Sequence, residues 1–171
     1  MPRLNRKTCP PLPYDPDSLD IGIVHLGVGA FHRAHMAAYT DEVLRGGDKR
    51  WGIIGASLRS TDTRDALSPQ DFLYTLSERD ETGERLSVIG ALRDVLVAPE
   101  NPAALLSAMC APSVKIVSLT VTEKGYCHDP ATGELNEAHP DNIHDLAHPN
   151  APRSALGFLV AALRQRMRRG G

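Results

Sequence analysis

Apolar and polar positions follow two different rhythms along this 171-residue chain, and the changes of rhythm predict its elements. The run IGIVHL, Ile21 to Leu26, is short, unbroken and rich in branched side chains, which predicts a buried strand. From Phe31 to Arg45 the spacing becomes helical, with Phe31, Ala34, Ala38 and Val43 on one side and Gly46-Gly47 as a stop. WGIIGASL, Trp51 to Leu58, predicts a second buried strand. Phe72 to Ser77 alternates weakly, Asp80 to Gly83 reads as a turn and Arg85 to Leu92 as a strand, together a hairpin-like insert. Pro102 to Cys110 predicts a short helix that Pro112 cannot continue. VKIVSLTV, Val114 to Val121, predicts a further strand, and the Gly-, Pro-, His-, Asp- and Asn-rich stretch from Gly125 to Asn150 predicts loop. The last element, Pro152 to Arg169, has Leu156, Leu159, Val160, Leu163 and Met167 at helical spacing. Arg164, Arg166, Arg168 and Arg169 complement the negative end of its dipole. Ahead of the first strand, Met1 to Ser18 carries five prolines, which predicts an extended arm over the surface, residues 1–19.

Strands separated by helices imply a mostly parallel sheet with right-handed crossovers, so the predicted class is α/β, Rossmann-like and doubly wound, over residues 20–171. Composition narrows this little: 42% hydrophobic and 23% charged residues suit a soluble globular domain. A net charge of −2 announces no nucleic-acid-binding face, and no apolar run approaches the roughly 20 residues that span a bilayer. The N-terminus lacks the apolar core of a signal peptide, so the expected compartment is the cytoplasm. Cys9, Cys110 and Cys127 fit neither a disulfide framework nor a Cys-x-x-Cys metal site, and reduced structural thiols are expected.

The candidate chemistry starts at Gly27-Val28-Gly29-Ala30-Phe31-His32, where the first strand hands over to the first helix. A helix start leaves backbone N–H groups unpaired and carries partial positive charge, and a diphosphate satisfies both. Glycines let the backbone bend tightly and approach that ligand closely. The usual fingerprint is G-x-G-x-x-G, and here His32 stands in the third place, so an ordinary glycine-rich turn remains an alternative reading. The fingerprint's second part, an acidic residue at the end of the second strand, is displaced: Leu58 is followed by Arg59-Ser60-Thr61-Asp62. Asp62 could meet the adenosine ribose and Arg59 a 2′-phosphate, which leaves NAD against NADP open; a solvated loop with a helix cap is the plainer reading.

The segment HLGVGAFHRAHMAAYTDEVL, His25 to Leu44, resembles the N-terminal signature of the mannitol dehydrogenase family, the polyol-specific long-chain dehydrogenases and reductases. SLTVTEKGYCHDPATGELN, Ser118 to Asn136, and HDLAHPNAPRSALGFLVAALRQR, His144 to Arg166, are similar to the family in the same order. The resemblance implies an oxidoreductase that moves a hydride between NAD(H) and a polyol, keto-sugar or hexuronate. It implies that Gly27, Val28, Gly29, Ala30 and Phe31 form the turn over the cofactor diphosphate, with His32 a family trait. Arg33 and His35 belong to the same signature, and helix packing or capping is their expected use. Thr120, Val121, Thr122 and Glu123 would close the Val114 strand, where ligands of open parallel sheets sit. Thr120 and Thr122 are then cofactor contacts, and Glu123 an auxiliary group that orients water or tunes proton transfer. A surface glutamate beside a glycine turn is the alternative for Glu123.

The same resemblance implies a general acid/base lysine in a K-x-x-x-x-N-x-x-H motif of a C-terminal domain, and this sequence contains no such motif. The expectation is therefore a truncated Rossmann domain, incomplete and inactive alone, from a split or shortened protein, with a small-molecule polyol or sugar acid as its partner. Two other function classes compete. One is a nucleotide-binding module without catalysis. The other is a metal-dependent hydrolase built on His139, His144 and His148, which lack a carboxylate or cysteine shell in the sequence; no metal ligand is therefore assigned.

Overall fold

The computed structural model describes residues 3–120 and 126–170. Four strands form one parallel sheet: β1 (Ile21–Leu26), β2 (Gly52–Ser57), β5 (Leu92–Val97) and β6 (Ile116–Leu119), in the order β5-β2-β1-β6. A separate antiparallel ribbon pairs β3 (Tyr74–Asp80) with β4 (Gly83–Ile89). The helices are α1 (Ala30–Ala34), α2 (Met36–Arg45), α3 (Asp62–Leu67), α4 (Pro102–Met109), α5 (Pro140–Ala147) and α6 (Ala155–Arg168).

The strand order explains where a ligand belongs. The chain starts at the centre with β1, steps outward through β2 to β5, then returns to the other side of β1 as β6. The winding direction thus reverses between β1 and β6, and the crevice beyond the carboxyl ends of those strands is the switch point of an open α/β sheet.

β1 is buried on both faces because its residues alternate between two cores. Ile23 joins Ile53, Leu92 and Val95 with Ala37 and Leu44 of α2 and Tyr74 and Ile89 of the ribbon. Val24 and Leu26 join Ala56 with Leu105, Leu106 and Met109 of α4 and Phe158, Ala161 and Ala162 of α6. The result is three layers, with α2 and the ribbon on one face and α4 and α6 on the other.

Several sequence expectations need correction. β5 is a parallel partner of β2 that begins at Leu92, the residue taken as the end of the hairpin strand. Arg93 and Asp94 interrupt its apolar pattern, since the strand lies at the sheet edge and is only half-covered there. The Phe31-to-Arg45 helix breaks at His35, and its inward face is His32, Ala37, Thr40, Asp41 and Leu44. Phe31 is 66% exposed and Val43 47%, so the two large residues of the side chosen from sequence point outward, while Ala38 of that side packs against the core. In α6, likewise, Ala155, Phe158, Ala161 and Ala162 pack inward, whereas Leu163 and Met167 are exposed. Small side chains allow α6 to lie close over the sheet and α4. Its arginines serve carbonyls as well as the dipole: Arg166 donates to the Met109 and Val114 oxygens at 2.9 and 3.1 Å. The region read as loop contains α5, started by Pro140 and capped by the His139 side chain.

The N-terminal arm does more than cover a surface. Tyr14 is 5% exposed, and its hydroxyl donates to the buried carboxylate of Asp41, which also accepts from the Gly90 amide at 2.8 Å and Arg45 Nε at 2.6 Å. Burial pushes the Tyr14 hydroxyl pKa up, and the adjacent Asp41 carboxylate adds to the shift. Paired this way, a buried carboxylate is tolerated, and the arm is tied into the core. Cys9 and Cys110 are free thiols. Among the described residues, no helix is long and apolar enough to cross a membrane.

Candidate functional site

Gly27 leaves β1 with φ +93°, a left-handed conformation that favours glycine. A side chain there would also put its Cβ 2.5 Å from the Thr120 carbonyl oxygen at the end of β6. Sequence and strand geometry thus agree: the chain can turn between two adjacent strand ends only without a Cβ. The Gly27 amide still bonds to the Ala56 oxygen at 2.8 Å, and the Gly29 amide folds back on the Gly27 oxygen at 2.8 Å. Val28 is buried against Gly55 of β2, where a Cβ would come within 2.2 Å of Val28 Cγ2. Gly55 therefore makes the seat for Val28, and two glycines on different strands shape one turn.

At Gly29 a Cβ would meet nothing within 4 Å, so the space over the turn is open. Gly29 is the N-cap of α1 and offers no capping side chain. The amides of Ala30 and Phe31 find no acceptor among the described residues. The Arg33 amide, by contrast, bonds to Gly29, and Arg33 Nη1 donates to the Val28 oxygen at 3.1 Å. The Tyr74 hydroxyl of the ribbon donates to the Arg33 oxygen at 2.7 Å. Arg33 thus pins the turn from outside, a structural use that accords with its expected packing or capping role.

The turn floors a cleft of about 950 Å³. Gly27, Val28 and Gly29 line it beside Ser57, Leu58 and Arg59 from the end of β2, Thr63 of α3 and Thr120 just past β6. Its far wall comes from Cys127, Asp141 and His144, and from the residues 151–155 that lead into α6. The cleft brings Gly27, Val28, Gly29, Arg59 and Thr120 together. Asp62 is the exposed first residue of α3 and does not line it, and Phe31 turns its ring outward to stack on His35 at 4.4 Å. Val121, Thr122, Glu123 and Gly125 lie outside the described residues.

The far wall carries groups that no motif announced. Asp145 of α5 accepts from the Arg153 and Ser154 amides at 2.7 and 2.9 Å and from the Ser154 hydroxyl at 2.6 Å. It also meets His144 Nδ1 at 3.1 Å. Burial opposes ionisation of Asp145, but these hydrogen bonds outweigh it and hold the carboxyl below its usual range. Ser154 in turn caps α6 through its bond from the Gly157 amide. The sequence hint was HDL followed by PRS, but only the fold shows that one carboxylate joins the two segments.

Cys127, His139 and Asp141 place one possible ligand atom each within 4.8 Å of one another. This trio differs from the histidine set His139, His144 and His148 read from sequence; there His144 is engaged with Asp145 and packs on His148 at 4.7 Å. Burial, then the nearby carboxylates of Asp141 and Asp145, push the Cys127 thiol pKa up.

Beneath the turn lie two histidines. His25 of β1 and His32 of α1 are 1% and 0% exposed, and their rings stack at 3.7 Å and 20°. His25 Nδ1 is 2.8 Å from Ser118 Oγ and its Nε2 2.8 Å from Thr120 Oγ1. Burial drives the His25 pKa down to about 4. Burial, helped by the neighbouring His25 and Arg33, drives His32 down to about 3.

A parallel sheet ordered β5-β2-β1-β6, with a glycine turn after β1 and a cleft at the switch point, defines a dinucleotide-binding type of domain. Residues 21–171 match the mannitol dehydrogenase Rossmann domain, and the chain belongs to that family. It is 49% identical over 161 residues to the uncharacterized oxidoreductase YeiQ of Escherichia coli (strain K12), covering 92% of this chain and 33% of that protein. With D-mannonate oxidoreductase of the same organism it shares 44% identity over 162 residues, 92% of this chain and 33% of that one. A solved structure of Pseudomonas fluorescens mannitol 2-dehydrogenase, a ternary complex with NAD and D-mannitol, superposes with a TM-score of 0.91. It is 42% identical and covers 98% of this chain and 36% of its own. The chain thus spans about a third of the length of the curated relatives it matches.

Proposed function

We propose that this chain is the nucleotide-binding part of an NAD(H)-dependent oxidoreductase acting on a polyol, keto-sugar or sugar acid. The observation that carries the reading is the open turn. The amides of Ala30 and Phe31, with no acceptor among the described residues, follow the Cβ-free Gly29, beyond the carboxyl ends of β1 and β6. Such a turn suits a diphosphate, which takes hydrogen bonds from backbone donors and favours a helix start. Membership of the family and the NAD-bound neighbour support the same assignment. The bound nicotinamide would supply the hydride acceptor.

This chain's residues bind and orient. Gly27 to Phe31 hold the diphosphate, Thr120 and Thr122 border the nicotinamide side, and Glu123 stands by as an auxiliary proton-handling group. Arg59 lines the cleft and Asp62 does not, which puts a guanidinium where it can meet an adenosine 2′-phosphate and keeps NADP(H) beside NAD(H) as a candidate cofactor. The thiols of Cys9 and Cys110 suit a reducing compartment, and we assign the chain to the cytoplasm.

Titrating the purified chain with NADH, followed by nucleotide fluorescence, tests the reading. Saturable binding without turnover of mannitol, fructose, mannonate or fructuronate is expected. Absence of binding sinks the assignment, and turnover by the 171 residues alone sinks the division of labour. Fusion to the C-terminal two thirds of the E. coli D-mannonate oxidoreductase then separates the function classes. Turnover marks an oxidoreductase domain, whereas binding without turnover marks a nucleotide-binding module without catalysis.

A further inference from the structure

The third position of the glycine fingerprint normally holds glycine so that the first helix can lie close to the first strand. Here it holds His32, whose ring is fully buried. The accommodation is visible directly below: His25 on β1 offers a flat imidazole on which His32 stacks at 3.7 Å. An aromatic pair therefore fills the gap that a glycine would close.

His25 also has a determinate proton arrangement. Thr120 Oγ1 donates to the Gly27 oxygen at 2.9 Å, so its single proton is committed. Toward His25 Nε2 that oxygen must then accept, which puts the imidazole proton on Nε2. Nδ1 is left as an acceptor, and Ser118 Oγ, 2.8 Å away, gives it its one proton in preference to the weaker acceptor Met36 Sδ at 3.5 Å. The order is one-way: Ser118 to His25, His25 to Thr120, Thr120 to the carbonyl of Gly27. His32 takes no part, because both its nitrogens are buried without a partner.

We propose that His25 and His32 are positioning residues of the nucleotide-binding turn. The stacked pair replaces the third glycine by setting the height of α1 over β1. The hydrogen-bond chain through His25 and Thr120 fixes the orientation of the Gly27 peptide. The effect on nucleotide affinity rests on the function proposed above; the effect on the turn does not.

Two features separate the histidines' roles. His25 works through its nitrogens, so a ring without them breaks the chain. His32 works through its ring alone, and an apolar ring of similar size serves equally well and relieves two unsatisfied nitrogens. The test compares His25→Phe, His32→Phe, Thr120→Val and the double variant His25→Phe/Thr120→Val at a temperature where each is folded. NADH affinity, the urea midpoint, 15N imidazole spectra and amide exchange over residues 27–33 are measured on the whole chain.

His25→Phe is expected to weaken NADH binding at least tenfold and to speed amide exchange in the turn. His32→Phe should bind within threefold of the parent and raise the urea midpoint. The double variant should bind no more weakly than Thr120→Val alone, since both changes cut one chain. The spectra should show His25 neutral and protonated on Nε2. The proposal is overturned by an Nδ1-protonated His25, by His25→Phe binding within twofold of the parent, or by His32→Phe losing as much affinity as His25→Phe. Should the parent bind no nucleotide, the function falls, while the tautomer and the exchange rates still decide the positioning role. If His25→Phe does not fold, the decision falls to the tautomer and to amide exchange over residues 27–33 without nucleotide in Thr120→Val, which should quicken; an unchanged exchange rate there overturns the proposal.

Discussion

The two walls of the cleft are built on opposite principles. The near wall, from Gly27 to Gly29, is backbone packed on backbone and made possible by missing side chains: no Cβ at Gly27 against Thr120, none at Gly55 against Val28. The far wall is joined by one side chain, the Asp145 carboxylate, which collects the Arg153 and Ser154 amides, the Ser154 hydroxyl and His144. A wall made by absence tolerates no added atom, whereas a wall held by a charge tolerates bulk but not loss of that charge. The comparison has consequences that can be measured, starting where the effect is largest.

Gly27→Ala combines a left-handed φ of +93° with a Cβ placed 2.5 Å from a backbone oxygen. The strain and the forced shift of β6 should cost about 4 kcal/mol. NADH binding should be lost within the range of a normal titration. A denaturant midpoint close to the parent's would show that the near wall is not steric in origin.

Acid should loosen the near wall before the far one. His25 and His32 are held neutral, with pKa values driven to about 4 and about 3 from 6.5. Between those values and 6.5 the unfolded chain binds protons that the folded chain refuses, so stability falls as pH drops below about 6.5. Among the described residues, Arg33 alone brings a net charge to bear on the pair, and it works in the same direction. One pH unit below 6.5 should remove roughly 3 kcal/mol for the two histidines together. Asp145, with its carboxyl depressed below 3.8, has the same sign but acts in a lower window: its contribution is intact above 3.8 and fades as pH falls through the folded pKa. Urea titrations at neutral pH and about one unit below 6.5 check this. Each single variant, His25→Phe or His32→Phe, should keep about half of the parent's pH slope, and a parent midpoint that does not move across that interval would sink the account.

The difference between the walls also explains what the sequence betrays. The near wall was legible because its requirement is a residue type at a position: two glycines after an apolar strand. The stacked histidines beneath it were named as sequence letters, but nothing in their spacing of seven said that the rings would meet. β5 escaped because Arg93 and Asp94 break its apolar run at a half-covered edge. α5 escaped because Ile143 and Leu146, its larger apolar residues, face outward at 56% and 74% exposure, leaving no inward stripe to read. In α6 the reading was inverted by size: the close-packed face is alanine with Phe158, and the larger aliphatics Leu163 and Met167 point away. Asp62 was a fair candidate by distance along the chain, yet the start of α3 carries it off the cleft wall.

Asp145→Asn tests the far wall with hardly any change in volume. The amide group would face donors where the carboxylate accepts from three or four, and the loss should be about 2 kcal/mol. Amide exchange should rise in residues 148–157 and stay unchanged at Gly27 and Gly29. Equal loosening of both walls would mean that they form one cooperative unit rather than two independent constructions.

The smallest effect sits where the walls meet the end of β2. Arg59 is exposed on the cleft rim, and its removal takes nothing from the core. Arg59→Ala should leave the denaturant midpoint within about 0.5 kcal/mol of the parent, as for ordinary surface changes. A guanidinium that meets a 2′-phosphate contributes through charge-assisted hydrogen bonds, so NADPH affinity should fall about tenfold, close to 1.4 kcal/mol. NADH lacks that phosphate and should change less than about threefold. Equal losses for both nucleotides would place Arg59 on the shared diphosphate and withdraw it from cofactor choice. No loss for either would leave it a solvated rim residue, and the candidacy of NADP(H) would then lose its only structural support among the described residues.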